Sequence, residues 1–372
     1  MFRPQIQKTR VLLGLAILTM GMVYWAVNSY ERHPTYGYDL KKKAVDIMVN
    51  GIESLRSEFI VNGINNGEDS ISFGDFLIGP KKSDIQTTSG SFVSKQSVIN
   101  PDFGAMITEM LMELEIDSSN HVAVSYTGSY PGANLALLSA LEALRIQASI
   151  ISSCGSSEYG ATHPDLTWIE MENHLYSSGI ISNKSELASI GGGYDLGTQL
   201  QVRGKKVCES TIYNHKINLL NIGDPEENIN QRMKHYQNKT KDISLFINVG
   251  GGIYTTGDSL KRKNTPAGII YPGDDISSAA SGTVIERFLE QDIPVININH
   301  IHILTEWYDL PYPPGKKNQI KMGSLFYSKK QYNLAVILTA FFIAAGTVLS
   351  VGIVSHREIK KRMHSSEPES IL

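Results

Sequence analysis

Two long apolar runs, one near each end of the chain, set the first constraint on its fold. Leu334–Val354 (LAVILTAFFIAAGTVLSVGIV) has no charged residue and stops at a basic collar, SHREIKKRMH. Val11–Tyr30 (VLLGLAILTMGMVYWAVNSY) follows Arg3, Lys8 and Arg10, and it carries Tyr24 and Trp25 where an interfacial belt would need them. Each is long enough to cross a bilayer. A buried core helix is a poor account of the second run at that length and with those flanks. A signal peptide is the alternative for the first, but its apolar run outlasts a usual h-region and no small-x-small cleavage site follows. Residues 11–30 and 334–354 are therefore expected to be uncleaved spans, with the intervening region on one side of a membrane. Arg3, Lys8 and Arg10, with Arg357, Lys360, Lys361 and Arg362, favour cytoplasmic termini and an extracytoplasmic domain. Lys41, Lys42, Lys43, Lys329 and Lys330 pull the opposite way.

Between the runs the composition is that of a globular protein. Hydrophobic residues make up 41% and charged residues 19%, which leaves no room for extended disorder. A net charge of −3, with no concentration of Lys and Arg, argues against a nucleic-acid partner. Cys154 and Cys208 could pair in an oxidising compartment. Without a CxxC or a Cys/His cluster they suggest no zinc site, and free buried thiols are the expected state.

A short basic tail (1–10) precedes the first span, and residues 31–120 read as a helical lead-in. Val45, Met48, Ile52, Leu55 and Phe59 share one helical face, as do Phe103, Met106, Ile107, Met110, Leu111 and Leu114. NGINNGEDS breaks the first of these helices with turn residues. From His121 to about 310 the pattern becomes strand–turn–helix, repeated. HVAVSY, QASIISS, KINLLNI, ISLFINV, AGIIYP and IPVININHI are the strands. Helices are expected from Pro131, near Pro164, from Pro225 and over SSAASGTVIERFLEQD. This alternation predicts an α/β fold: a largely parallel, Rossmann-like doubly wound sheet, flanked by an N-terminal and a C-terminal transmembrane helix. LPYPPGKK begins a stiff linker over 311–333, and a basic, polar tail occupies 355–372.

Several strands run into glycine- and hydroxyl-rich turns: TGSYPG at 127–132, SSCGSSEYG at 152–160, IGGGYDLG at 190–197 and NVGGGIYTTG at 248–257. Open parallel sheets bind ligands beyond the carboxyl ends of their strands, where glycines admit a ligand to the backbone and free amides favour anions. The candidate ligand-binding residues are Thr127, Gly128, Ser129, Gly132 and Asn134 in the first turn, and Ser153, Gly155 and Ser156 in the second. The third supplies Gly191, Gly192, Gly193 and Asp195, and the fourth Asn248, Gly250, Gly251 and Gly252. GSYPGAN matches neither nucleotide-binding glycine motif nor the nucleophile elbow. Ser129 is the candidate nucleophile, with no identifiable base beside it; hydrogen bonding within the turn or capping of the next helix is its simpler role. Gly191–Gly193 with Asp195 reads equally as a flexible loop or an anion nest. His300 and His302 would share a face of a strand, but ordinary histidines in a sheet-edge loop explain them, and His163 and His174 are read as structural. Asp274 and Asp275 read as caps of the helix that follows. No metal or cofactor is expected.

Three segments together, VAVSYTGSYPGANLALLSALEAL, ISSCGSSEYGATHPDLTWIEME and INVGGGIYTTG, resemble the poly-gamma-glutamate system proteins over about residues 85–305. GSYPGAN and GATHPDLTWIEME are the most specific parts. The resemblance implies an accessory membrane component of bacterial poly-gamma-glutamate (capsule) biosynthesis. Its partners would be the membrane, the synthase subunits and an anionic polymer or carboxylate ligand. It names a pathway and no catalytic residue. A membrane-anchored hydrolase or amidase that trims or releases the polymer is the alternative, and a scaffold for the synthase complex the second.

Overall fold

A computed structural model describes residues 8–61, 63, 74–239, 242–276, 282–314, 322–329 and 331–365. Most of the NGINNGEDS turn and the Gly315–Lys317 part of the linker motif lie outside them. The described residues form two compact units, one from the two chain ends (up to Pro34 and from Tyr327) and one spanning Thr35–Phe326.

The first unit holds helix α1 (Thr9–Val27), helix α13 (Leu334–Ser365) and a two-residue antiparallel pairing of β1 (Tyr30–Glu31) with β9 (Gln331–Tyr332). Both helices are long and apolar enough to cross a membrane, with mean hydropathies of 1.8 and 2.4. Burial within the protein does not account for that apolarity, because α1 has no buried residue. An apolar surface of this size needs lipid or another partner to cover it.

The second unit is a mixed α/β domain around a sheet of seven strands. They are β2 (His121–Thr127), β3 (Gln147–Ser153), β4 (Leu187–Ser189), β5 (Asn218–Leu219), β6 (Ile243–Val249), β7 (Gly268–Ile270) and β8 (Val295–Ile298), in the order β5-β4-β3-β2-β6-β8-β7. Every pairing is parallel except β7 with β8. β2, β3 and β6 are buried almost throughout, and their polar positions are mostly small serines that fit such an interior. The order reverses at β2: the chain moves outward through β3, β4 and β5, then returns to pair β6 on the other side of β2.

Helices cover both faces. On one, α8 (Pro225–Lys239), α9 (Ile253–Thr256) and α11 (Val284–Leu289) enclose a core in which Phe246 and Phe288 stack at 4.6 Å with Tyr236 against both. On the other, α5 (Pro131–Leu144) is buried nearly all round, and α2 (Tyr38–Val61) and α4 (Asp102–Glu113) pack against it. The expected stripes of α2 and α4 are the buried ones, so residues from Thr35 onward belong to the same compact unit as the sheet. Lys41 of α2 is fully buried. Its Nζ meets Glu109 at 2.6 Å, Thr35 Oγ1 at 2.8 Å and the Leu325 carbonyl at 2.7 Å, holding the two ends of the unit side by side.

Several expectations are corrected. Cys154 and Cys208 form a disulfide: α7 (Val202–Asn214) brings Cys208 to the segment beyond β3, with a Cα–Cα distance of 5.6 Å. α6 (Trp168–Ser177) starts later than Pro164, because Thr167 caps it by accepting from the Glu170 amide. β8 ends at Ile298, so His300 and His302 are not strand neighbours; His300 precedes α12 (Ile301–Trp307) in the left-handed region, with φ +49°. Asp274 accepts from the Tyr271 amide in a turn after β7, and the cap of α11 is Thr283; residues 277–281 of the helix expected after Asp275 lie outside the described residues. β4 and α7 were not anticipated.

Glu172 on α6 is wholly enclosed, and Tyr126 Oη and Ser185 Oγ both donate to its Oε1. Burial raises its pKa to about 8, against weaker lowering by Ser185 and Lys184. Two donors on one oxygen suit a protonated acid whose Oε1 is the carbonyl. The folded pKa exceeds the ordinary value of 4.5, so the contribution is full below that value and is lost as pH rises through about 8. Thermal melts of the detergent-solubilised protein should therefore fall from pH 5 to pH 8.5, and Glu172→Gln should flatten that slope. An equally steep slope in the variant would refute the assignment.

Candidate functional site

The reversal of strand order at β2 leaves a crevice between the helix that follows β2 and the segment that follows β6. Each wall is built by a strand-end turn. After β2, Pro131 occupies the first turn of α5, its ring fixing the backbone for helix entry. Asn134 reaches back from α5 to the Thr127 carbonyl at 2.8 Å. A Cβ on Gly128 would lie 2.8 Å from the Cys154 carbonyl, and one on Gly132 would lie 2.7 Å from that of Val98. Both glycines are thus required by close backbone approach. The GSYPGAN and GATHPDLTWIEME segments touch here, for the Ala161 amide donates to the Gly128 carbonyl at 2.8 Å.

The crevice is a cleft of about 540 Å³, and all four anticipated turns line it. Thr127, Ser129, Ser153, Gly155, Gly192, Gly193, Asp195, Gly251 and Gly252 reach its surface. Gly128, Gly132, Asn134, Ser156, Gly191, Asn248 and Gly250 do not; they shape it from behind. Ser156 Oγ donates to the Gly128 carbonyl at 2.9 Å, and Asn248 Nδ2 to the Gly250 carbonyl and Asn297 at 2.8 and 2.7 Å. Ser129 does not cap α5, whose N-cap is Tyr130; its Oγ accepts from the Ser157 amide at 3.1 Å.

A fifth wall, Thr87–Ser91 (TTSGS), was missed. It is as rich in hydroxyls and glycine as the others, but it precedes a helix rather than following a strand. Ser91 caps that helix, α3 (Phe92–Ser97), through the Ser94 amide. Gln199, Asp258, Ser259, Arg262 and Asn299 complete the lining.

The third turn is an unusual backbone object. Gly191, Gly192, Gly193, Tyr194 and Asp195 all have positive φ, at +81°, +66°, +25°, +54° and +61°. Left-handed backbone costs a non-glycine residue roughly 1–2 kcal/mol, so Tyr194 and Asp195 need compensation. Asp195 has it: Arg232 of α8 donates to its Oδ2 at 2.5 Å, with both side chains buried, and Asn228 steadies the guanidinium at 2.8 Å. The turn is therefore a held hook rather than a loose loop.

Charge in the cleft is unevenly matched. Asp195 is neutralised by Arg232. The Asp258 carboxylate accepts from the amides of Leu260 and Lys261, both at 2.9 Å, which hold its pKa below the ordinary value. Arg262, on α10 (Ser259–Asn264), makes only long hydrogen bonds among the described residues, to the Gly251 carbonyl at 3.4 Å and Ser259 Oγ at 3.3 Å. No described carboxylate lies within ion-pair distance of it. Beneath the opposite wall lies Lys95 of α3, 2% exposed. Its Nζ contacts the Ser129 carbonyl and Ser157 Oγ, the latter at 2.6 Å, and sits 4.5 Å from the centre of the Tyr130 ring. Desolvation lowers its pKa to about 7, opposed by the charge of Glu158.

The described residues hold no group of three or more His, Cys, Asp or Glu side chains that could bind a metal. His300 Nε2 meets the Arg262 carbonyl at 3.1 Å, and the His302 ring faces Tyr312. No family model, curated protein or solved structure matches the chain. Its function has to be argued from these residues.

Asp195→Ala should destabilise the protein by about 3 kcal/mol, because it strands a buried guanidinium. Arg232→Met should cost a similar amount, and the double variant much less than the sum, measured by chemical denaturation. Additive losses would show that the hook does not depend on this pair.

Proposed function

We propose that the cleft binds a carboxylate-bearing chain, and that the protein is a membrane-anchored accessory component of poly-gamma-glutamate synthesis or export. The observation that carries the reading is the meeting of four glycine- and hydroxyl-rich strand ends around Arg262, a lining cation with no carboxylate within ion-pair distance among the described residues. A guanidinium offers planar paired donors to a carboxylate, and hydroxyls and backbone amides add further ones. The lining is polar and open at the sheet edge, which suits an extended polyanion better than an apolar cofactor. The resemblance of the GSYPGAN and GATHPDLTWIEME segments to poly-gamma-glutamate system proteins supplies the pathway.

An extracytoplasmic position for the domain, in the bacterial cell membrane, has two supports. Disulfides persist chiefly in oxidising compartments, and Cys154 is bonded to Cys208. Among the lysines that oppose this orientation, Lys41 is consumed by its buried pairing with Glu109, and Lys43 donates to the Ala143 carbonyl at 3.1 Å. Lys42 and Lys43 are the exposed remainder of that cluster.

Binding of a γ-linked glutamate oligomer to the detergent-solubilised full chain should weaken about tenfold in Arg262→Gln. It should also be lost in Gly192→Trp, which would fill the cleft. Unchanged affinity in both folded variants would end the reading. Orientation is checked separately: an impermeant protease or tag reagent added to intact cells should reach the loops of the Thr35–Phe326 unit and not the chain termini.

A further inference from the structure

We propose that Ser157 and Lys95 form a serine–lysine nucleophilic pair that cleaves an acyl bond of a chain lying in the cleft. The proposal rests on the binding reading for its substrate, an amide-linked carboxylate chain, but not for its chemistry. Ser157 and Ser129 both line the cleft, but among the described residues the Ser129 hydroxyl has only the Ser157 amide as partner, whereas that of Ser157 meets an amine. The bond to Ser129 fixes the backbone of Ser157. Its Oγ lies 2.6 Å from Lys95 Nζ, which is close enough for direct proton transfer.

The surroundings of Lys95 suit an amine better than an ammonium. A buried ammonium kept for packing calls for a carboxylate or three acceptors. Lys95 meets two oxygens and the face of Tyr130, and no described carboxylate lies within ion-pair distance. A neutral amine has two hydrogens and one lone pair. One hydrogen can go to the Ser129 carbonyl, leaving the lone pair to accept the Ser157 proton. Of the groups facing this site, the charge of Glu158 and the ring face of Tyr130 favour the ammonium; the Tyr130 phenol is neutral, its pKa raised by burial, and beyond it lie Arg262 and Tyr312. Burial outweighs Glu158, so the amine form is populated near neutrality.

The step balances with water as co-reactant. Ser157 Oγ attacks the carbonyl carbon while its proton passes to Lys95 Nζ, and the carbonyl π pair moves onto oxygen. Collapse of the tetrahedral centre breaks the carbon–nitrogen bond, and the Lys95 ammonium returns the proton to the departing amine. Water then repeats the sequence on the acyl-serine, releasing a carboxylate and restoring both side chains.

The test is labelling of the full chain, in detergent micelles, with an alkyl fluorophosphonate, in which serine displaces fluoride. Mass spectrometry should place the adduct on Ser157 and find none in Ser157→Ala. The wild-type rate should rise with pH through about 7. It should fall roughly 100-fold in Lys95→Met. No adduct, an adduct on another serine, or a rate flat between pH 6 and 8 would overturn the proposal. The pH profile decides the matter if Lys95→Met does not fold. Oligomer binding by the wild-type chain is measured in parallel. An unlabelled protein that binds the oligomer removes the chemistry and keeps the binding site. A labelled protein that does not bind it removes the polymer and keeps the acyl chemistry.

Discussion

The position of β2 between β3 and β6 is the constraint from which the rest of the domain follows. A parallel strand must be reached by a crossover, so each neighbour of β2 brings its own helix and its own strand-end turn. Because one neighbour is reached early and the other late, the two sets of turns face each other across β2 instead of following one another along an edge. A crevice opens there without any special sequence device. What the sequence must supply is permissive backbone at its rim and a polar surface inside. Glycine and hydroxyl residues at four strand ends provide both.

Rigidity of that rim comes from long-range pairs rather than from the turns themselves. The Gly191–Asp195 hook would relax if left to its own backbone preferences; the buried Arg232 of α8, with hydrogen bonds from Leu196, Gly197 and Thr198 to the hook's carbonyls, holds its left-handed path. On the other side, Lys95 ties the first and second turns together through Ser129 and Ser157. The disulfide adds a third tie, from the end of β3 to α7. Each of these places charge or a covalent link directly behind the lining. The same contacts that hold the cleft open therefore also set its electrostatics.

What could be read from sequence divides along the same line. β2, β3 and β6 are legible because a strand buried on both faces is short, rich in β-branched and other apolar residues and free of charge, and the stripes of α2 and α4 are legible because each packs on one side. β4, three residues long, leaves almost no signature, and α7, rich in Lys, Glu and Thr, has no continuous stripe. The convergence of the four turns follows from topology, which alternation predicts. Lys95 was invisible: nothing in FVSKQS marks its lysine as buried, since the groups that enclose it lie 34 and 62 positions away. The fate of the cysteines was equally out of reach, because pairing depends on where α7 docks and not on their sequence separation of 54. Ser129 drew attention for its exposed turn, yet the neighbouring backbone claims its oxygen, and the hydroxyl beside the amine belongs to a different turn.

The buried Lys41 bears on how such a domain can be attached to a membrane at both ends. By binding Thr35 Oγ1 and the Leu325 carbonyl together, it brings the first and last residues of the unit to one place. A domain whose ends were far apart would need long linkers or a strained arrangement to serve two neighbouring helices. Here the requirement is met inside the domain, before either apolar helix begins. The cost of burying an ammonium is offset by Glu109, which is half-open to solvent and completes the site from α4. A lysine that sequence counts among the charges flanking an apolar run thus works as a closure for the fold.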